Sequence, residues 1–221
     1  MSNDADLLRR YVEEDADAAV AEFVGRHVNL VYSAALRQSG GDAHRARDIT
    51  QLTFLTAARK ARSLLRHPLL AGWLYNTAQH IGWRAMRAES VRQRRESEAA
   101  RMNDTETSSG TLRWERVQPV LEDVMRELGD RDREAVVLRY FSARSFGEIG
   151  SALGLSEDAA RMRVERALDK LRQKFSRRGI ASTNTMLAGV LAAHGVEAAP
   201  LGLAAGVAKI CVASAGGSGG A

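Results

Sequence analysis

The segment SARSFGEIGSALGLSEDAARMRVERALDKLRQKF, residues 142–175, carries the strongest fold signal in the chain. Phe146, Ile149 and Leu153 recur at helical spacing, and Gly154 then supplies the backbone freedom for a tight turn. Ser156 suits the N-cap of a second helix, whose positive end is complemented by Glu157 and Asp158. Ala160, Val164, Ala167, Leu168, Leu171 and Phe175 share one side of that helix. A short helix, a Gly-containing turn and a long basic helix together read as a DNA-binding helix-turn-helix. An ordinary helical hairpin in an all-α core is the alternative on this stretch alone.

The charge distribution favours the first of these. The chain has 221 residues, a formal net charge of +5 and a pI near 9.8. Residues 1–22 hold seven acids against two arginines, a net of −5, whereas residues 161–178 hold eight bases against two acids, a net of +6. A basic helix in a chain with an acidic leader is the asymmetry of a nucleic-acid binder. Alternating apolar runs are missing while Ala, Leu, Arg and Glu dominate, which predicts an all-α protein. Cys211 is the single cysteine, so no disulfide framework can form and a reducing cytoplasm is the expected compartment. The acidic N-terminus does not resemble a signal peptide.

Five segments follow in order. Residues 1–17 are the acidic leader. Residues 18–98 form a first helical domain, opening with Val20, Phe23, Val24, His27, Leu30, Val31, Ala34 and Ala35 at helical period. Gly40-Gly41 ends that helix, and Asp42 caps the next, whose inner side holds Ala46, Ile49, Thr50, Thr53, Phe54 and Ala57. A basic stretch, Arg62 to His67, leads to Pro68 and a long helix reaching roughly Glu98. Trp73, Tyr75, Asn76, His80 and Trp83 give way along it to Arg84, Arg87, Arg92, Arg94 and Arg95. That sequence suits a surface that holds unpaired bases and tracks phosphates, with Trp73 leaning towards the core and Trp83 open to either role.

Residues 99–112 are polar, Ser/Thr-rich and without apolar period, a flexible linker. Residues 113–178 form a four-helix unit in which Asp130 caps the second helix and the helix-turn-helix supplies the last two. Residues 179–221 are an Ala/Gly-rich extension with two short apolar helices, 185–195 and 201–214, broken at Pro200. Those runs are too interrupted for a membrane span. The extension is expected to be regulatory, packing on one of the two domains or on a partner, with His194 and Cys211 incidental. The five histidines, one cysteine and scattered acids show no metal-ligand spacing, phosphate loop or nucleophile motif. An enzyme, a metal, a cofactor and a small-molecule substrate are therefore not expected.

Two motif sets in this order resemble the bacterial RNA polymerase sigma factors of the extracytoplasmic-function group. ARDITQLTFLTAARKA (46–61) and GWLYNTAQHIGWRAMR (72–87) match the region-two pattern, and residues 128–172 match region four. The resemblance implies an interchangeable transcription initiation subunit without catalysis of its own, with core RNA polymerase and promoter DNA as partners and an anti-sigma factor as a candidate third. It assigns core docking to Asp48, Gln51, Thr50 and Arg47 on the outer face of their helix. Arg47 stands where many members carry Glu. It assigns minus-10 recognition and melting to the helix of Trp73, Asn76, His80, Trp83, Arg84 and Arg87, with His80 where many members carry Asn.

Minus-35 recognition falls to Ser156, Arg161, Met162, Arg163, Glu165, Arg166 and Lys170. Arg161 is placed to pair with a guanine edge, and Arg163, Arg166 and Lys170 to clamp phosphates. Glu165 can accept from a cytosine amino group or pair with Arg161. The competing function is a stand-alone helix-turn-helix transcriptional regulator, which has no need of an exposed Asp48/Gln51 face.

Overall fold

Helix α2 (Asp17–Gln38) is the axis of the first domain, because its apolar residues run almost all the way round. The computed structural model describes residues 4–14, 16–67, 69–96 and 112–216, with side chains for all of these except 88–96 and 215–216. The expected linker, apart from Leu112, and the distal arginines Arg92, Arg94 and Arg95 fall outside these limits. Around α2 pack α1 (Asp4–Glu14), α3 (Ala43–Arg59), the one-turn α4 (Ala61–Leu64) and α5 (Leu70–Glu96). No strand occurs among the described residues. Phe23, Val24, Phe54, Leu74 and Ala78 are all buried in the centre.

The acidic leader is structured. Leu7 and Leu8 of α1 enter the first-domain core, and the Asp4 carboxylate sits 2.7 Å from Arg26 Nη1 and 2.9 Å from His27 Nε2. Burial alone would raise the Asp4 carboxyl; the His27 and Arg26 hydrogen bonds outweigh it and leave the group below its ordinary value. Asp42 caps α3 as its sequence position predicts, its side chain accepting from the N–H groups of His44 and Arg45.

The second domain contains α6 (Trp114–Arg126), α7 (Asp130–Val136), a π-helical turn (Val137–Phe141), α8 (Phe146–Leu153) and α9 (Glu157–Ser176). Asp130 is the first helical residue of α7 and not its cap; Gly129 holds that place, and the Asp130 carboxylate pairs with Arg133. Between α8 and α9 the chain turns at Gly154, whose φ of 66° needs a left-handed residue. Ser145 and Glu148 form a capping box at the start of α8, and the Ser156 hydroxyl accepts from Ala159 N–H at the start of α9. Gly150 lets the turn close, since a Cβ there would stand 2.7 Å from the Leu155 carbonyl oxygen.

The extension folds as α10 (Asn184–His194) and α11 (Leu203–Gly216), on either side of Pro200. It packs on both domains, where one domain or a partner was expected. Leu187 and Leu191 of α10 are fully buried in the second-domain core, whereas Val207, Ala208 and Cys211 of α11 are buried in the first. His194 stacks on Trp114 with ring centroids 5.7 Å apart, and burial pushes the Cys211 thiol up to about 11. Both residues take part in packing.

The domains meet directly across a polar cluster. Glu122 of α6 accepts from Arg37 Nε at 2.6 Å, from the Tyr75 hydroxyl at 2.6 Å and from Gln79 Nε2 at 2.5 Å. All four side chains are buried. Burial and the neighbouring Glu122 carboxylate push the Tyr75 phenol well above its ordinary value. The Phe141 ring packs 5.7 Å from that of Tyr75 and 5.1 Å from the Arg37 guanidinium.

Gly150→Ala should destabilise the second domain by about 1–3 kcal/mol, because backbone must shift to admit the methyl group; chemical denaturation reads the loss. Acid should act on the same domain. The Ser145 N–H and Arg144 hold the Glu148 carboxyl down at about 2, and Arg178 and Lys174 hold Glu127 there too. A carboxyl with a lowered folded value stabilises above its ordinary 4.5 and loses that contribution as pH falls towards 2. Thermal denaturation at low salt should show the midpoint falling across that window.

Candidate nucleic-acid interface

Helix α9 commits one face to the core and leaves the opposite face to solvent. Ala160, Val164, Ala167, Leu168, Leu171 and Phe175 are buried, while Ser156, Arg161, Met162, Glu165, Arg166 and Lys170 are exposed. Met162, an apolar residue, is 48% exposed at the centre of that face. Arg163 is half-buried at its edge. These exposed side chains lie on the side of α9 away from the core.

Its charges are more organised than spacing predicts. The Arg161 guanidinium lies 4.7 Å from the Phe146 ring centroid and pairs with Glu157 at 3.8 Å, so its partner is Glu157 and not Glu165. Arg139 covers the same ring at 4.4 Å, which leaves Phe146 held between two arginines. Arg163 and Lys170 both pair with Asp132 of α7, Arg163 at 3.9 Å. Arg166 makes no such pair among the described residues. An open concavity lined by the bases Arg131, Arg163, Arg166 and Lys170 together with the acids Asp130 and Asp132 runs between the start of α7 and α9. Arg139 and Asp132 were not legible here, because Arg139 reaches Phe146 of α8 from the π-helical turn and Asp132 reaches α9 from α7, neither at a fixed sequence offset.

Helix α5 is buried on one side along its first turns and more exposed from His80 onwards. His80, Trp83, Arg84 and Arg87 are exposed, Trp83 at 39%, and the Arg87 guanidinium lies 5.1 Å from the Trp83 ring centroid. His80 Nδ1 is 2.9 Å from the Asn76 carbonyl, which orients the ring along the helix. Asn76 is half-buried beside them, and Trp73 packs half-buried against the first-domain core. Tyr75, grouped with these aromatics in the sequence, is fully buried and faces Glu122. It cannot meet a base in this arrangement.

On α3, Arg47 and Asp48 are exposed, Gln51 is half-exposed, and Leu52 beside them is 50% exposed. Thr50 lies on the inner side, where the helical period puts it, and not on the outer face to which the resemblance assigned it. It is fully buried, with its hydroxyl donating to the Ala46 carbonyl at 2.7 Å. An i to i−4 bond of this kind satisfies the hydroxyl within its own helix. Leu52 lies one turn from both Asp48 and Thr56 and adds an exposed apolar side chain to that outer face, which the charged residues alone did not suggest.

Comparison with known proteins accounts for this pairing of helical domains. The family model described as sigma-70, region 4, matches residues 124–173, from the end of α6 through most of α9. The RNA polymerase sigma factor CarQ of Myxococcus xanthus is 30% identical over 163 residues, spanning 72% of this chain and 91% of CarQ. The chain belongs to the RNA polymerase sigma factors. It falls in the extracytoplasmic-function group that its sequence resembles, and it is a transcription initiation factor that recognises promoters. A co-crystal structure of the sigma factor RpoE with the anti-sigma factor NepR from Bartonella quintana aligns over 66% of this sigma factor and 91% of that chain. Its 22% identity and TM-score of 0.31 are too low for the overall shapes to count as alike. Among the described residues of the sigma factor, no helix is long and apolar enough to cross a membrane.

Asp132→Ala should release Arg163 and Lys170 towards phosphate. Duplex affinity should rise several-fold at low salt, and the salt slope should steepen by about 1–2. Fluorescence anisotropy over a salt series measures both, and an unchanged slope would mean that neither cation reaches the backbone.

Proposed function

We propose that this sigma factor reads promoters at two points: α9 fixes register on the minus-35 duplex, and α5 captures melted bases at minus-10. The observation that carries this is the second exposed reader. Trp83, Arg84, Arg87 and His80 form an aromatic and basic surface in a domain separate from the helix-turn-helix. A stand-alone regulator would need only α9. Stacking on an aromatic returns about 1–3 kcal/mol per base against the few kcal/mol that unstacking costs, and arginines hold the backbone.

Within α9, Arg161, Met162 and Glu165 are the base-reading positions. Arg166 is the uniform phosphate clamp, with Arg163 and Lys170 in support once Asp132 yields them. Core RNA polymerase docks on α3 through Asp48, Gln51 and Arg47, with Leu52 giving the surface an apolar centre. Thr50 supports α3 from within. The factor acts in the cytoplasm and supplies recognition to the polymerase, with no reaction of its own.

Asp48→Ala combined with Gln51→Ala should weaken association with core polymerase by tenfold or more and leave the helical circular dichroism intact. Unchanged association would refute docking on α3. Trp83→Ala should preserve duplex binding but reduce permanganate-reactive, melted thymines several-fold in the polymerase complex. Equal melting by the variant would remove Trp83 from the minus-10 reader.

A further inference from the structure

The extension touches both domains at once, and one side chain links all three parts. Arg37 of α2 donates through Nε to Glu122 of the second domain and through Nη1 to the Gly195 carbonyl of the extension, both at 2.6 Å. Just beyond, the Ser33 hydroxyl bonds both the N–H and the carbonyl of Glu197, and Asn29 Oδ1 accepts from Ala199 N–H at 2.9 Å. The 195–199 segment is thus laid along α2. Before it, α10 is anchored in the second-domain core by Leu187 and Leu191, with Asn184 donating to Asp169 of α9 at 2.8 Å. After it, α11 is anchored on α2 and α3 by Val207, Ala208 and Cys211.

This arrangement holds the two readers close together. Trp83 is eight residues, about 12 Å of helix, from Tyr75. Tyr75 touches Phe141, and Phe146, five residues later, carries Arg161 on its ring. The readers are therefore on the order of tens of ångströms apart. Promoter elements centred near minus-10 and minus-35 lie roughly 85 Å apart on duplex DNA, at about 3.4 Å per base step. The 14 residues from 99 to 112 could span about 50 Å if extended, so the covalent chain permits the separation that the closed contacts forbid.

We infer that residues 184–216 form a built-in clasp, holding the sigma factor closed so that it cannot engage both promoter elements until the extension lets go. The polar interface suits a reversible latch. Breaking Arg37–Glu122 by separating the domains returns both charges to water together, whereas removing one partner would strand the other. The recognition faces of α9 and α5 stay exposed in the closed form, so the clasp acts on domain geometry and not by covering the readers. Core polymerase favours the open form only by its differential affinity for it, which lowers the apparent affinity of the closed chain.

This inference rests on the two-point reading above, and two variants separate them. Gly72→Cys with Glu134→Cys should bridge α5 to α7, because a Cβ at residue 72 would stand 3.2 Å from Glu134 Cγ, within disulfide reach. Buried Cys211 stays outside the exchange. The loosened variant is Asn29→Ala with Ser33→Ala, which removes the bonds to Glu197 and Ala199 and leaves both readers untouched. Run-off transcription from genomic fragments with core polymerase is the assay. The oxidised bridged chain should lose at least tenfold of the transcripts that it directs when reduced. The loosened chain should reach half-saturation at a concentration at least threefold lower than the unmodified chain. Equal transcription by oxidised and reduced forms, or identical half-saturation of loosened and unmodified chains, would overturn the clasp. Absence of core-dependent transcripts from both the unmodified and loosened chains would overturn the two-point reading, and the clasp with it.

Discussion

The closed architecture depends on one buried carboxylate. Glu122 gathers donors from Arg37, Tyr75 and Gln79, so α6 can dock on the first domain in only one register. Apolar surfaces tolerate sliding by a fraction of a turn, but a buried anion does not. Losing Arg37 leaves its charge uncompensated in a medium of low dielectric constant, and losing Tyr75 or Gln79 removes a buried hydrogen bond to it. Phe141, from the π-helical turn, closes the other side of the cluster against Arg37 and Tyr75. The surrounding apolar contacts from Leu30, Ala34, Leu69 and Ala71 contribute area, while the polar groups set position.

Helix α5 joins the interdomain cluster and also carries an exposed aromatic and basic surface. Its period places Tyr75 and Gln79 on the side that faces Glu122, while His80, Trp83, Arg84 and Arg87 stay in solvent. Side chains four apart share a face, so Trp83 and Arg87 continue the row of Tyr75 and Gln79 one and two turns further on; position along the axis, together with rotation for His80 and Arg84, separates the buried set from the exposed one. Any rotation that seated α5 more deeply on α6 would withdraw the reader surface. The same logic holds for α9, whose apolar seam fixes the direction in which Arg161, Met162 and Glu165 project.

Local and periodic features were the legible ones. The α2 core face, the Asp42 and Ser156 caps, the Gly154 turn and the break at Pro200 each depend on residues within one or two turns of sequence. Long-range pairing was not legible. The helical period places Thr50 on the inner side, as found, but nothing near Tyr75 distinguishes it from a stacking aromatic until Glu122 is placed opposite. Asp132 neutralises Arg163 and Lys170 from another helix, so the charge of α9 overstates what it offers to phosphate. The extension was read correctly as two helices but assigned too few contacts, because an apolar helix does not reveal which surface it will cover.

The Arg37–Gly195 bond has a consequence in time. Its partners lie 158 residues apart, and the Asn29–Ala199 bond closes over 170. On a ribosome both domains emerge before residues 184–216, and at about 5–20 residues per second the clasp lags them by a few seconds. Each newly made molecule therefore passes through an interval in which its domains are folded but unlatched. In that interval the Glu122 cluster and the apolar contacts around it are the links between the domains, while the Arg37–Gly195 and Asn29–Ala199 bonds are still to form.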